Sequence, residues 1–144
     1  MATTTRPTGS RPVSDILTGT VRTVHPALSL RAAARALTAD GIGLLVIENS
    51  SGALAGVVSE RDLVHALGND VDLDADRLHD VMAEDVVTIN ASDTVAHAAG
   101  RMVDADVRHL VVIDPAEGVV GVVSSRDVMR AMVDRSDAKT AEAP

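Results

Sequence analysis

The sequence predicts an α+β protein built from tandem β-α-β-β-α repeats with internal pseudo-two-fold symmetry. Three observations lead there. Residues 15–62 align without a gap onto 80–127 at a constant offset of 65, and 13 of the 48 positions are identical. The hydrophobic period changes in the same order in both copies. Both copies end alike, in Gly56-Val57-Val58-Ser59-Glu60-Arg61-Asp62 and Gly121-Val122-Val123-Ser124-Ser125-Arg126-Asp127. A repeat of this size is one supersecondary unit that cannot bury its own apolar face, so the two copies are expected to share one core.

Each copy opens with a short extended segment, Val21, Thr23 and Val24, matched by Val86, Thr88 and Ile89. An amphipathic helix follows, with Leu30, Ala33, Ala34 and Leu37, or Val95, Ala98, Ala99 and Met102, at i, i+3, i+4, i+7. Ser29 and Thr94 stand where the N-caps belong. An apolar strand comes next (Leu44 to Ile47; Leu110 to Ile113), then a turn carrying Ser-Ser-Gly or Asp-Pro-Ala-Glu-Gly. A second strand (Leu54 to Val58; Val119 to Val123) leads into a last helix from Glu60 or Ser125. That helix carries Leu63, Val64 and Leu67 in one copy and Val128, Met129 and Met132 in the other.

Around the repeats, residues 1–12 are rich in Thr, Pro, Gly, Ser and Arg and read as a flexible lead, and 136–144 as a flexible tail. The first repeat spans 13–68 and the second 78–135, with 69–77 an acidic linker between them. Asp70, Asp72, Asp74 and Asp76 alternate along that linker. They lack the later Gly and the bidentate Glu of a calcium loop, so a solvated connector is expected.

With 144 residues, 46% of them hydrophobic, the chain can form a compact domain. It has no Phe, Tyr or Trp, which removes the stacking surfaces that single-stranded nucleic acid uses. A net charge of −8 argues further against nucleic acid and anionic membranes. No cysteine is present, so disulfides and thiolate sites are excluded. No apolar run approaches the roughly 18 residues that span a bilayer, and Met1 to Pro12 lacks a signal-peptide core. A cytoplasmic protein is expected.

The chemistry points to the shared ending. Each copy finishes a strand in Gly-Val-Val and enters a helix through Ser-x-Arg-Asp. A helix N-terminus offers free N–H groups and a positive dipole end to an anion. A carboxylate there can accept from the vicinal hydroxyls of a ribose, while Ser59 or Ser124 reaches sugar or phosphate. Gly56 or Gly121 leaves room for close backbone approach. The competing reading is structural, since Ser-x-x-Asp is close to a capping box. Two details favour a ligand: Asp has a shorter arm than the usual Glu or Gln, and Arg61 and Arg126 place a cation against the helix dipole. A local acid neutralising each Arg would remove the second of them.

These residues resemble those of the cystathionine-β-synthase-type (CBS) domain family, whose tandem pair is often called a Bateman module. The resemblance covers Val13 to Val133 and rests on Gly-h-h-Ser/Thr-x-x-Asp (h apolar), present twice. It implies a regulatory or sensory module, not an enzyme. Its ligand is implied to be AMP, ADP, ATP or a related adenosyl compound such as S-adenosylmethionine, held in clefts between the repeats, with no cofactor required. Asp62 and Asp127 inherit the ribose role, Ser59 and Ser124 ribose or phosphate contact, and Thr23 and Thr88 the neighbourhood of the adenine. In family members that hold phosphate, a basic pair often precedes the middle strand. Arg108-His109 occupies that place in the second copy and Gly43-Leu44 in the first, so the copies are expected to differ in affinity for phosphate. The family's usual Pro in that strand is Val46 or Val111 here.

His25, His65, His79 and His97 are scattered along the chain and form no metal-ligand cluster. No nucleophile-base-orienter set is recognisable either. The alternative to a ligand receptor is a protein-interaction scaffold, acting through homodimerisation or an unidentified protein target.

Overall fold

The computed structural model describes residues 8–17 and 21–141, with side chains for 9–17 and 21–133. Residues 1–7 of the expected lead and 142–144 of the expected tail lie outside them. The chain divides into two compact units, one formed by Val21–Val86 and the other by the described residues up to 17 together with those from Val87 onward.

The first-repeat unit contains β1 (Thr23–Val24), α1 (Leu30–Asp40), β2 (Leu44–Glu48), β3 (Leu54–Ser59), α2 (Glu60–Gly68) and α3 (Leu78–Val81). The second-repeat unit contains β4 (Thr88–Asn90), α4 (Val95–Ala105), β5 (His109–Asp114), β6 (Gly118–Ser124) and α5 (Ser125–Ala141), preceded by a 3-10 turn at Val13–Ile16. Helix α5 therefore continues into the segment expected to be a tail.

Each unit has a three-stranded sheet, ordered β1-β2-β3 or β4-β5-β6. The first strand runs parallel to the second, and the third antiparallel to it. The register repeats at the sequence offset: Thr23 pairs with Val46 as Thr88 pairs with Val111, and Leu44 faces Ser59 as His109 faces Ser124. Both hairpins shift register after the pairs Ile47–Gly56 and Val112–Gly121. The caps form as expected. Ser29 Oγ accepts the Ala32 N–H at 3.2 Å, and Thr94 Oγ1 accepts the His97 N–H at 3.0 Å.

Most of the buried side chains form two clusters, one within each unit, while Val46 and Val111, also buried, belong to neither. Leu45, Ile47 and Val58 meet Leu30, Ala33, Leu37 and Leu63 in the first-repeat unit. Leu110, Val112 and Val123 meet Val95, Ala98, Met102 and Val128 in the second. Two short segments, equivalent at the same offset, each complete the cluster of the unit they pack in. Val13 and Ile16, at the start of the stretch assigned to the first repeat, are buried in the second-repeat unit. Leu78 and Val81 close the first-repeat unit in the same way. Their backbone bonds match one for one: Val13 N–H to Asp93 O (2.8 Å) with Leu78 N–H to Leu28 O (3.0 Å), and Ser14 N–H to Ala91 O (3.0 Å) with His79 N–H to Pro26 O (3.0 Å).

The acidic connector turns its acids largely to solvent and its two apolar residues inward. Val71 and Leu73 pack against the first-repeat core, and the Arg31 N–H donates to Leu73 O at 2.9 Å. Its acids are engaged locally. Asp76 accepts the Asp72 N–H at 2.8 Å, Asp72 accepts from Asp74 and Ala75, and Asp74 takes a two-bond ion pair from Arg31 at 2.7 and 3.2 Å. The alternation of apolar and acidic residues that suggested a metal loop is the alternation of a core-facing and a solvent-facing side. No described helix is long and apolar enough to cross a membrane.

Candidate functional site

Strand alternation divides each sheet into two faces. In the first-repeat unit Val24, Leu45, Ile47 and Val58 point to the helical core, which leaves Thr23, Val46, Val57 and Ser59 on the opposite face. In the second, Ile89, Leu110, Val112 and Val123 point inward, leaving Thr88, His109, Val111, Val122 and Ser124 on the other side. The sheet residues singled out from the sequence thus share one face in each unit, directed away from that unit's helices. Thr23 is exposed, whereas Thr88, His109, Ser59 and Ser124 are half-buried.

Asp62 and Asp127 lie in the first turns of α2 and α5, both half-buried. In the first-repeat unit Asp62 Oδ2 accepts the Ser59 N–H at 2.8 Å and the Ser59 hydroxyl at 3.0 Å, while Ser59 Oγ accepts the Asp62 N–H at 3.1 Å. In the second, Asp127 Oδ2 accepts the Ser124 N–H at 2.8 Å, and Ser124 Oγ accepts the Asp127 N–H at 3.0 Å. Both are complete capping boxes. The shorter arm of Asp, taken from the sequence as favouring a ligand, closes the box in both copies. The cap residue is the last of an extended strand (Ser59 φ −105°, ψ 166°), which turns its N–H towards the first helical turn and shortens the reach required.

The cap uses half of each carboxylate. Among the described residues every hydrogen bond to Asp62 or Asp127 falls on Oδ2, which leaves Oδ1 with its lone pairs. Neither Asp has a fully buried side-chain oxygen without a hydrogen-bond partner. A carboxylate oxygen held by its neighbour in this way is oriented and available to donors from outside, including a pair of hydroxyls. Arg61 and Arg126 are exposed and make no ion pair among the described residues, so no local acid neutralises them there.

The glycines act differently from expectation. A Cβ on Gly56 would stand 2.7 Å from the Ala83 carbonyl oxygen and 3.1 Å from Met82 Sδ. One on Gly121 would stand 2.9 Å from Leu17 Cδ2. The room is taken by the chain's own incoming segment on the core side. Val57 and Ala83 exchange backbone bonds there at 3.0 and 2.9 Å. Sequence reasoning missed this contact. The signal for it was the apolar pair Leu78/Val81, echoed at Val13/Ile16, just ahead of each first strand.

Arg108 is exposed at the foot of β5, and its carbonyl accepts the Ser125 N–H at 2.9 Å. The equivalent bond in the first-repeat unit runs from the Glu60 N–H to Gly43 O at 3.1 Å. Other candidate side chains are engaged elsewhere. His25 Nδ1 accepts the Ala27 N–H at 3.0 Å and Nε2 meets Ser50 Oγ at 3.2 Å, while His79 pairs with its neighbour Asp80 at 3.0 Å. No group of three or more described His, Asp or Glu residues could hold a metal ion.

Comparison with known proteins agrees with this architecture. The CBS domain matches residues 13–69 and 78–134. An uncharacterised 17.7 kDa protein from Acidianus ambivalens is 32% identical over 123 residues, covering 85% of this chain and 73% of the relative. Homoserine O-acetyltransferase from Methanohalobium evestigatum is 31% identical over 118 residues, 82% of this chain, but the match spans only 23% of that longer protein. Among solved structures, the CBS domain pair of protein MJ0100, in complex with 5′-methylthioadenosine and S-adenosyl-L-methionine, superposes with a TM-score of 0.79 at 28% identity over 87% of this chain and 98% of that one. The AMP complex of CBS domain protein PAE2072 from Pyrobaculum aerophilum gives 0.76 at 28% identity, over 81% and 89% of the two chains. With two matches in tandem over most of its length, the chain belongs to the CBS domain family.

Proposed function

We propose that the chain is a non-catalytic regulatory module that binds an adenosine-containing ligand and passes its occupancy to a protein target. One observation carries this reading above the others. The same constellation is built twice at one register, with a carboxylate whose Oδ2 is held by its own helix cap and whose Oδ1 takes no hydrogen bond among the described residues. In this reading Asp62 and Asp127 accept from ribose hydroxyls, Ser59 and Ser124 contact ribose or phosphate, and Thr23 and Thr88 border the adenine. Arg108 and His109 serve a phosphate. The related structures with bound AMP, S-adenosylmethionine and methylthioadenosine support an adenosyl compound as the ligand class. Signalling follows by population shift, set by the ligand's differential affinity for two states.

The test is a thermal-shift panel of AMP, ADP, ATP, S-adenosylmethionine and adenosine, with native mass spectrometry for stoichiometry. A ligand at 100 times its Kd stabilises the fold by about 2.7 kcal/mol. No shift with any of the five would reject the reading.

A second reading, an interaction scaffold working as a homodimer or on a protein partner, has its own observation. Val64 and Leu67 on α2, and Met129 and Met132 at the equivalent places on α5, are apolar and more than half exposed. Light scattering of the ligand-free protein tests it, and a monomer at all concentrations would count against homodimerisation.

A further inference from the structure

We propose that residues 9–17 form a releasable strap on the second-repeat unit. The strap opens locally, while the equivalent residues 74–82 stay fastened to the first-repeat unit. This holds whether or not an adenosyl ligand binds.

The two segments occupy the same kind of seat. Each packs an apolar pair into its unit, Val13 with Ile16 or Leu78 with Val81. Three backbone bonds recur in both. Val13 and Leu78 donate to Asp93 O and Leu28 O, and Ser14 and His79 to Ala91 O and Pro26 O. The third runs from the Val95 N–H to Arg11 O at 2.8 Å, or from the Leu30 N–H to Asp76 O at 3.3 Å.

What differs is the fastening. Leu78–Val81 is an α turn, closed by the Met82 N–H on Leu78 O at 2.8 Å, and Asp80 Oδ2 accepts the Arg77 N–H ahead of it at 3.1 Å. Asp80 Oδ1 also pairs with His79 at 3.0 Å. Val13–Ile16 is a 3-10 turn, a form with poorer hydrogen-bond geometry. The equivalent of Arg77 there is Pro12, which has no N–H to give, so Asp15 is denied the bond that Asp80 makes. Ser14, in the place of His79, offers Asp15 no cation.

The residues leading in repeat the contrast. Asp74 is tied to Arg31 on α1 by two bonds, whereas the equivalent Gly9 lies against the equivalent Ala96 on α4, a Cβ added to it standing 3.1 Å from the alanine Cβ. Val71 and Leu73, which pack on the first-repeat cluster, correspond by offset to the polar Arg6 and Thr8. A segment held by an apolar pair and few polar ties opens at a lower free energy than the fold around it. Release withdraws Leu17 from Gly121, on the strand that ends at Ser124, and uncovers the seat of Val13 and Ile16. The second-repeat unit thus has a closed and an open form where the first has a closed form.

Amide hydrogen exchange of the intact chain, read residue by residue by NMR, tests this. Protection factors at Val13, Ser14 and Val95 are expected to fall at least about tenfold below those at Leu78, His79 and Leu30. They should also fall below that of Val111, whose N–H donates to Val87 O at 3.1 Å within the same unit. Asp80→Ala is expected to lower protection at Leu78, His79 and Leu30 about fivefold, whereas Asp15→Ala should move Val13, Ser14 and Val95 by less than about threefold. The chain has no cysteine, so Gly9→Cys with Ala96→Cys places a single disulfide across the strap. Oxidation is expected to raise Val13, Ser14 and Val95 to the level of their counterparts, and reduction to reverse it. Equal protection of the two straps in the wild type overturns the proposal. So does exchange at Val13, Ser14 and Val95 that matches Val111 and occurs only with global unfolding.

Discussion

Asp127 and Ser124 hold each other through two bonds, the Ser124 N–H on Asp127 Oδ2 at 2.8 Å and the Asp127 N–H on Ser124 Oγ at 3.0 Å. Asp62 and Ser59 repeat the arrangement at 2.8 and 3.1 Å. Each carboxylate is thus a structural cap on one oxygen, and the ligand role proposed for the other separates from capping by substitution.

Asp→Asn keeps an amide oxygen to cap the Ser N–H but removes the charge. Asp62→Asn and Asp127→Asn are expected to leave the urea midpoint nearly unchanged. The double variant is expected to bind adenosyl ligands at least tenfold more weakly, as charge-assisted bonds of roughly 1.5–3 kcal/mol are lost. Ser59→Ala should do the reverse in part, removing about 1 kcal/mol of helix-cap stability. Equilibrium unfolding alongside calorimetry reads both. Unchanged ligand binding in the double Asn variant would refute the ribose assignment.

The glycines of the shared ending should tolerate a methyl group unequally. At Gly56 the added Cβ meets a backbone oxygen, Ala83 O at 2.7 Å, inside a two-bond bridge to Val57. At Gly121 it meets the far end of the Leu17 side chain, which can turn aside. Gly56→Ala is expected to cost about 1–3 kcal/mol, as overpacking does, and Gly121→Ala clearly less. Equal losses in denaturant midpoint would show that the bridge at Ala83 does not constrain the site.

Much of this architecture is legible in the sequence, for identifiable reasons. The offset aligned Thr23 with Thr88 and Ser59 with Ser124, and the strand pairing keeps that register residue for residue. Ser29 and Thr94 are caps because a short hydroxyl before an apolar 3.6-residue period has little else to do. The placement of Val13–Ile16 was not legible. A repeat makes two nearly identical grooves, and two apolar residues three apart fit either, so local pattern cannot say which copy they fill. The inward packing of Val71 and Leu73 was hidden for a related reason, since two apolar residues are too few to outweigh four Asp in composition. Ser-x-x-Asp as a ligand site and as a cap were posed as rivals. The bond pattern shows the cap, made through Oδ2 of each carboxylate, and leaves Oδ1 outside it.

The two first helices of the repeats end alike, in a left-handed residue at equivalent positions, but one copy carries strain. Gly41 adopts φ 62° at no steric cost, whereas Asp106 adopts φ 53° with a side chain. Asp106→Gly is expected to stabilise the second-repeat unit by about 0.5–1 kcal/mol, and Gly41→Ala to destabilise the first by a similar amount. Opposite signs in the two thermal shifts check the pair.

The ion pair between Arg31 and Asp74 ties the connector to α1 and gives a pH signature. The Arg31 hydrogen bond holds the Asp74 carboxyl below the usual aspartate range, and Asp74 raises the arginine in turn. For a carboxylate whose folded value is depressed, the associated stability is present above its unfolded pKa and is lost as pH falls through the folded one. The raised arginine would lose its share only at alkalinity beyond the working range. Both side chains are well exposed, 45% and 68%, so the effect is small and screened by salt. The melting temperature of wild type minus that of Arg31→Ala should therefore be flat from about pH 6 to 8, where aspartate is ionised. It should shrink towards zero on acidification below the ordinary aspartate value, and shrink at neutral pH when salt is raised to about 1 M. A difference that instead grows in acid would mean that Asp74 is not the partner that matters, and that the connector is held by Val71 and Leu73 alone.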